Sequence, residues 1–298
     1  MNYNPIALWR KHKQEIQTLK KQLDATLDFF EDRDPSHSEL PGTNIKFVRR
    51  SGPLLFYLYR HYFRVRLFGQ KNVKDTQYMI VSNHTGQIPI DGVLICNALL
   101  TEFHPPRLAR PLIERILVKI PLVSTFLAQY GCVLGNRENC LELLQRGESV
   151  LVFPEGVRGS AKKRSQFYQT APFSRGFYRM ALKAGVEILP VAVVGAEEMF
   201  PFVYHNKTIA KMARMPALPL SPNMFPLPSP IDIYFGEPII LPQNLAATDP
   251  NEKLDPYIRC IEQQIQSMVD EGLEKRRPFF FNTQRGSSGD NHAQEMDS

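Results

Sequence analysis

The chain has 298 residues, 43% of them hydrophobic, with a formal net charge of +6 and a pI near 9.1. That length carries one large or two modest domains with a real core, and the composition is ordinary for a globular protein. The basic excess suits anionic partners (nucleic acid, acidic lipid surfaces or phosphorylated substrates) without choosing among them. Cys96, Cys132, Cys140 and Cys260 are scattered and form no C-x-x-C pair, which removes zinc spacing and redox motifs and fits reduced thiols in a cytosolic setting. Met1 to Arg10 lacks the apolar core of a secretory signal, and no run of 18 or more apolar residues occurs, so no spanning helix is expected. Pro111 to Tyr130 comes nearest, but Glu114, Arg115 and Lys119 interrupt it.

In chain order, residues 5–32 read as a helix. Ile16, Leu19, Leu23, Leu27 and Phe30 fall on one stripe between Lys, Gln and Glu, ready to pack on the body or on a partner. Asp34-Pro35-Ser36-His37-Ser38 breaks the pattern as a linker. Residues 53–68 are aromatic and basic, with Phe56, Tyr57, Tyr59, Arg60, Tyr62, Phe63, Arg64 and Arg66. They suit either a membrane interface or an element leading into the sheet with its aromatics in the core. Strand signals at 77–82, 132–134, 149–153 and 188–194 alternate with helical patterns at 90–100, 112–129, 138–145 and 173–183. The alternation predicts an α/β fold with a mostly parallel central sheet flanked by helices. Met215 to Pro230 carries six prolines and reads as an extended surface loop. Ile231–Phe235 reads as a further strand, and Leu254, Ile258, Ile261, Ile265 and Met268 mark a C-terminal amphipathic helix. The expected organisation is an N-terminal helical segment and linker over 1–45, one domain over 46–281, and a polar, Gly/Ser-rich disordered tail over 282–298.

Four constellations carry possible chemistry. Asn83-His84-Thr85-Gly86 and Pro89-Ile90-Asp91-Gly92 follow a buried strand, at the position where open α/β sheets gather ligands. A neutral imidazole takes a proton from an alcohol, and a carboxylate holds the ring in the useful tautomer. The alternative is a strand-to-helix turn capped by Asn83 or Asp91. Gly131 to Arg137 ends a short strand on an arginine, which suits bidentate capture of phosphate or carboxylate or simply opens a surface helix. Phe153-Pro154-Glu155-Gly156-Val157-Arg158-Gly159 joins a strand end to a glycine turn with one acid and one base. Gly156 and Gly159 there allow a close backbone approach to a ligand, and Arg158 with Lys162-Lys163-Arg164 makes a cationic surface. Ile188 to Gly195 is an apolar strand with a proline near its start.

In this order the four blocks resemble the glycerophospholipid acyltransferases, best known through the 1-acylglycerol-3-phosphate acyltransferases. The matching residues are Asn83-His84 with Asp91, Gly131 to Arg137, Phe153 to Arg158, and Leu189-Pro190-Val191. Arg64 to Gly69 before the first block and Phe235-Gly236-Glu237-Pro238 after the last are similar too, so the resemblance spans residues 50–245. One departure is the six residues between His84 and Asp91, longer than the family's commoner interval. Glycine and proline at Gly86 and Pro89 are suited to absorb the extra length.

The resemblance implies an O-acyltransferase of phospholipid biosynthesis. It would move a fatty acyl group from acyl-CoA or acyl carrier protein to the hydroxyl of a lysophospholipid, lysophosphatidic acid first. Another lipid alcohol, or a non-catalytic lipid binder, stands as the alternative. It assigns His84 as base and Asp91 as its orienting acid, with Arg137, Glu155, Gly156 and Arg158 as substrate-binding residues. It calls for no metal and no cofactor beyond the acyl donor. No Gly-x-Ser-x-Gly elbow suggests a serine esterase, and no zinc or RNA-binding signature suggests nucleic acid. The expected setting is peripheral, on the cytoplasmic face of a membrane. The candidate contacts are residues 53–68, the 112–129 segment and Lys275-Arg276-Arg277-Pro278-Phe279-Phe280-Phe281.

Overall fold

Tyr78–Ser82 is buried at every position, as a strand covered on both faces must be. A computed structural model describes residues 5–33, 42–85, 89–119, 121–160, 162–201, 204–205, 219–220 and 225–277, and makes this strand the centre of a seven-stranded sheet. In chain order the strands are β1 (Arg66–Phe68), β2 (Tyr78–Ser82), β3 (Ala109–Ile113), β4 (Val133–Leu134), β5 (Ser149–Val152), β6 (Glu187–Val194), the short pair β7 (Tyr204–His205) and β8 (Pro219–Leu220), and β9 (Asp232–Phe235). The helices are α1 (Pro5–Arg33), α2 (Ile45–Tyr57), α3 (Ile90–Thr101), α4 (Arg115–Val118), α5 (Pro121–Gln129), α6 (Arg137–Gln145), α7 (Val157–Ser160), α8 (Gly176–Ala184) and α9 (Asn251–Glu274). The main sheet runs β1-β9-β6-β2-β5-β3-β4. Strands β6, β2, β5, β3 and β4 are parallel, while β9 is antiparallel to β6 and β1 runs parallel to β9. This is the mostly parallel α/β sheet expected from the sequence.

Alternate strand residues build two cores. Met79, Val81, Val150 and Val152 face Leu143, Tyr178, Ile261 and Ile265 of α6, α8 and α9. Ile80, Leu151, Leu189 and Val191 face Leu94, Ile95 and Leu99 of α3 on the other side. Pro190 is tolerated inside β6 because it lies just past the end of β9. Its carbonyl accepts the Gly236 N–H there, and a strand residue's N–H and C=O share one side, so the missing donor costs the ladder to β2 nothing. A third cluster seats α1 on α2, with Leu19, Leu23 and Leu27 against Ile45, Val48 and Phe56. Arg49 of α2 reinforces it by reaching Asp24, Asp28 and Glu31 of α1.

Three expectations change. The single helix expected at 112–129 is instead the end of β3 followed by α4 and α5. Arg110 and Pro111 hide β3 from a pattern search, and Arg110 is nevertheless buried, its guanidinium paired with Glu148. The aromatic-basic stretch 53–68 is not a free surface. Phe56, Tyr59 and Phe63 are core residues, while Arg60 meets Glu102, Arg64 the Pro228 carbonyl and Arg66 the Asp232 carboxylate. At the chain's end, Arg276 is buried on Glu198 and Arg277 reaches Asp232, so these cations are internal clamps. Phe279 to Phe281, most of the 206–224 loop and the 282–298 tail lie outside the described residues.

Candidate active site

Because β2, β5, β3 and β4 are parallel neighbours, their C-terminal ends lie side by side. Each delivers one block: His84 after β2, Phe153 to Gly156 after β5, Glu114 after β3, and Gly135 to Arg137 after β4. All but Glu155 line one cavity of about 260 Å³, with Val93, Leu112, Leu117, Phe177 and Met180 supplying its apolar wall. A narrower apolar cavity of about 100 Å³ lies between α2, α3 and α5 and shares the walls Val93, Pro111, Leu127 and Cys132 with the first.

Asp91 sits in the first turn of α3 with no exposure. One carboxylate oxygen accepts from His84 Nδ1 at 2.7 Å and from the Thr85 N–H at 2.9 Å; the other accepts from the Gly92 N–H at 2.8 Å. The α3 N-terminus and these donors stabilise a buried carboxylate that would otherwise be costly. The long interval thus still delivers the acid to the ring; Gly86, Gln87 and Ile88 within it lie outside the described residues. With Nδ1–H donated to Asp91, Nε2 is the basic nitrogen. Phe153 stacks on the ring, with centroids 4.6 Å apart. Burial pushes the His84 pKa down, but the charge and hydrogen bond of Asp91, helped by Glu155, outweigh it and leave the group above its ordinary value.

Asn83 serves neither as a helix cap nor as a ligand. Its side chain is buried and pairs with both backbone groups of Val193, accepting from N–H at 2.8 Å and donating to C=O at 3.0 Å. It continues the β2–β6 ladder one residue beyond the strand and so fixes where the His84 turn begins.

The other expected site residues divide. Arg137 opens α6 at the cavity rim, exposed and without an ion pair or hydrogen bond among the described residues, beside the capping Asn136. Gly156 lines the cavity at φ +57°, where a side chain would be strained and would crowd Glu114. Arg158 does not line the cavity: its guanidinium donates to the Pro172 carbonyl at 2.8 Å on the outside. Glu155 is enclosed rather than open to a ligand. Its carboxylate accepts from the His84 N–H at 2.8 Å and the Ala171 N–H at 2.7 Å and pairs with Lys162 at 2.8 Å. Gly159 is likewise turned to the protein, since a Cβ there would fall 2.7 Å from His84 Cβ and 2.8 Å from Glu155 Cβ. Lys162, read from the sequence as one of three surface cations, is buried. A basic run gives no sign of which member turns inward.

An oriented imidazole beside a mostly apolar cavity at the carboxyl ends of a parallel sheet is an arrangement suited to proton transfer on a bound substrate. Comparison with known proteins then gives the class. A family model described as Acyltransferase matches residues 64–194. An uncharacterized protein of Mycobacterium tuberculosis is 30% identical over 253 residues, covering 81% of this chain and 70% of its own. A human DGAT1/2-independent enzyme synthesizing storage lipids is 25% identical over 210 residues, covering 70% of this chain and 64% of its own. The crystal structure of the 1-acyl-sn-glycerophosphate acyltransferase PlsC from Thermotoga maritima shares the fold, with a TM-score of 0.50 and 20% identity over 90% of this chain and 99% of that one. The chain belongs to the Acyltransferase family and is an O-acyltransferase.

Proposed function

We propose that the enzyme transfers a fatty acyl group from an acyl thioester, acyl-CoA or acyl carrier protein, to the hydroxyl of a lysophospholipid, with lysophosphatidic acid as the acceptor. The observation that carries this reading is His84, oriented by Asp91 on the wall of an apolar cavity whose rim holds Arg137, an arginine with no partner among the described residues. His84 Nε2 takes the acceptor's hydroxyl proton. The oxygen attacks the thioester carbonyl, the C–S bond breaks, and the thiolate leaves with the proton returned by the imidazolium. Asp91 stabilises that imidazolium. Arg137 at the α6 N-terminus takes the acceptor's phosphate, and the adjoining apolar cavity takes acyl-chain carbons. No metal and no covalent acyl-enzyme enter the cycle. A positioned base is worth roughly a hundred- to ten-thousand-fold in rate, so alignment of the two substrates supplies much of the rest.

A second acceptor, an uncharged lipid alcohol, is favoured by the outward turn of Arg158, which leaves Arg137 as the cation lining the cavity. The relatives named for storage-lipid synthesis point the same way. Turnover of labelled acyl-CoA with a panel of lyso-acceptors and neutral acylglycerols, read by product mass, decides. Lysophosphatidic acid is expected to be preferred, His84→Ala to lose turnover by at least a hundredfold, and Arg137→Ala to raise KM for the phosphorylated acceptor alone. Preference for a neutral acceptor with no effect of Arg137→Ala selects the second acceptor; undiminished transfer by His84→Ala rejects the base.

A further inference from the structure

Glu155 and Lys162 act together on the two peptide groups that flank one residue. The Glu155 carboxylate takes the His84 N–H at 2.8 Å, and the Lys162 ammonium donates to the His84 carbonyl at 3.1 Å. The two charges meet each other at 2.8 Å, with both side chains almost fully enclosed. Both backbone polar groups of the residue carrying the imidazole are therefore held by a single buried ion pair. Gly159 keeps the space this needs. A buried ammonium is expensive and persists where its hydrogen bonds and its partner repay desolvation. Neither member lines the cavity.

We propose that Lys162 is a positioning residue for His84: with Glu155 it clamps the His84 backbone on both sides of its Cα and so fixes the approach of the imidazole to the acceptor hydroxyl. The proposal rests on His84 being the base, but its test does not need turnover. The charged groups facing the ring are Asp91 from α3, Glu155 from the turn after β5 and Lys162 from the segment after α7. Behind them Glu197, whose carboxyl burial pushes up to about 7, lies within reach of the Lys162 field. Asp91 and Glu155 raise the proton affinity of His84 and Lys162 lowers it. Loss of the lysine charge is therefore expected to move the His84 titration to higher pH, and the split between kcat and KM tells positioning from charge alone.

The experiment titrates the His84 ring by NMR in the substrate-free full chain, with Lys162→Met and Lys162→Gln beside the parent, and measures kcat and KM separately. Both variants are expected to shift the His84 midpoint upward. Lys162→Met should lose kcat by on the order of ten- to a hundredfold, as misplacement of a reacting group does, at nearly unchanged KM. Lys162→Gln keeps a donor for the His84 carbonyl and should retain more kcat than Lys162→Met. It also serves if Lys162→Met does not fold. A folded variant with an unmoved His84 midpoint, or with kcat within twofold of the parent, overturns the proposal. A parent chain that transfers no acyl group strikes the proposed function, while an upward His84 shift in the two variants would still show that Lys162 faces the ring.

Discussion

At the residue scale, the state of His84 is set by opposing effects. Burial alone would lower its pKa, and the Asp91 carboxylate at 2.7 Å reverses the sign. A base must be neutral to work, so a raised pKa means the rate falls as pH drops through a value above the usual histidine pKa of about 6.5. The acid limb of kcat/KM is therefore expected above that point. Asp91→Asn removes both the charge and the tautomer control: the limb should drop below about 6.5 because burial then dominates, and turnover should fall on the order of a thousandfold. A limb that stays put in Asp91→Asn, measured over pH 5 to 9, would separate the rate from this imidazole. The His84–Asp91 pair was legible in the sequence because two chemical residue types sit in one turn after an apolar strand. The inward turn of Lys162 and the outward turn of Arg158 were not. Which member of a basic segment faces in depends on where the His84 carbonyl lies, 78 positions away in the chain, a fact absent from local spacing.

At the element scale, the site depends on where β2 stops. Beyond Ser82 the ladder to β6 would end, leaving buried Val193 N–H and C=O without partners; the Asn83 amide supplies both bonds. Asn83→Ala should leave two buried backbone groups unsatisfied, at about 1–3 kcal/mol each. Chemical denaturation is expected to show a loss of roughly 2–6 kcal/mol with an unchanged m-value. A loss under about 1 kcal/mol would mean that water or backbone shifts replace the amide. The central strands were readable because β2, β5 and β6 are uninterrupted apolar runs. β1, three residues long, and β3, with Arg110 and Pro111 inside it, carry no such run; tertiary pairing with β9 and β5 makes them strands.

At the scale of the whole molecule, a lipid-handling enzyme must bring its cavity to the lipid. Among the described residues no helix is long and apolar enough to cross a membrane. Of the stretches that read as membrane contacts, Phe56, Tyr59, Phe63 and Arg66 of 53–68 and Arg276 and Arg277 of 275–281 are tied inward by core packing and ion pairs, and 278–281 lie outside the described residues. The third remains open. Val118, Leu122 and Phe126 on α4 and α5, with Leu54 on the neighbouring α2, are large apolar side chains exposed to solvent, Leu122 at 87%. Exposed Arg115 and Lys119 flank them, and Glu114, Leu117 and Leu127 of the same segment line the cavity beside His84. Apolar groups ringed by cations at a cavity mouth are the arrangement that an anionic bilayer surface stabilises through both burial and charge. Leu122 is barely packed against the protein, so Leu122→Asp should leave the melting temperature within about 2 °C. Flotation with vesicles containing phosphatidic acid or phosphatidylserine is expected to drop several-fold, and turnover on vesicle-embedded acceptor should drop in step while activity on a detergent-dispersed acceptor is kept. Unchanged flotation of Leu122→Asp would move the membrane-facing side elsewhere on the molecule. Loss of activity in both assays would instead mark Leu122 as part of the cavity's own structure.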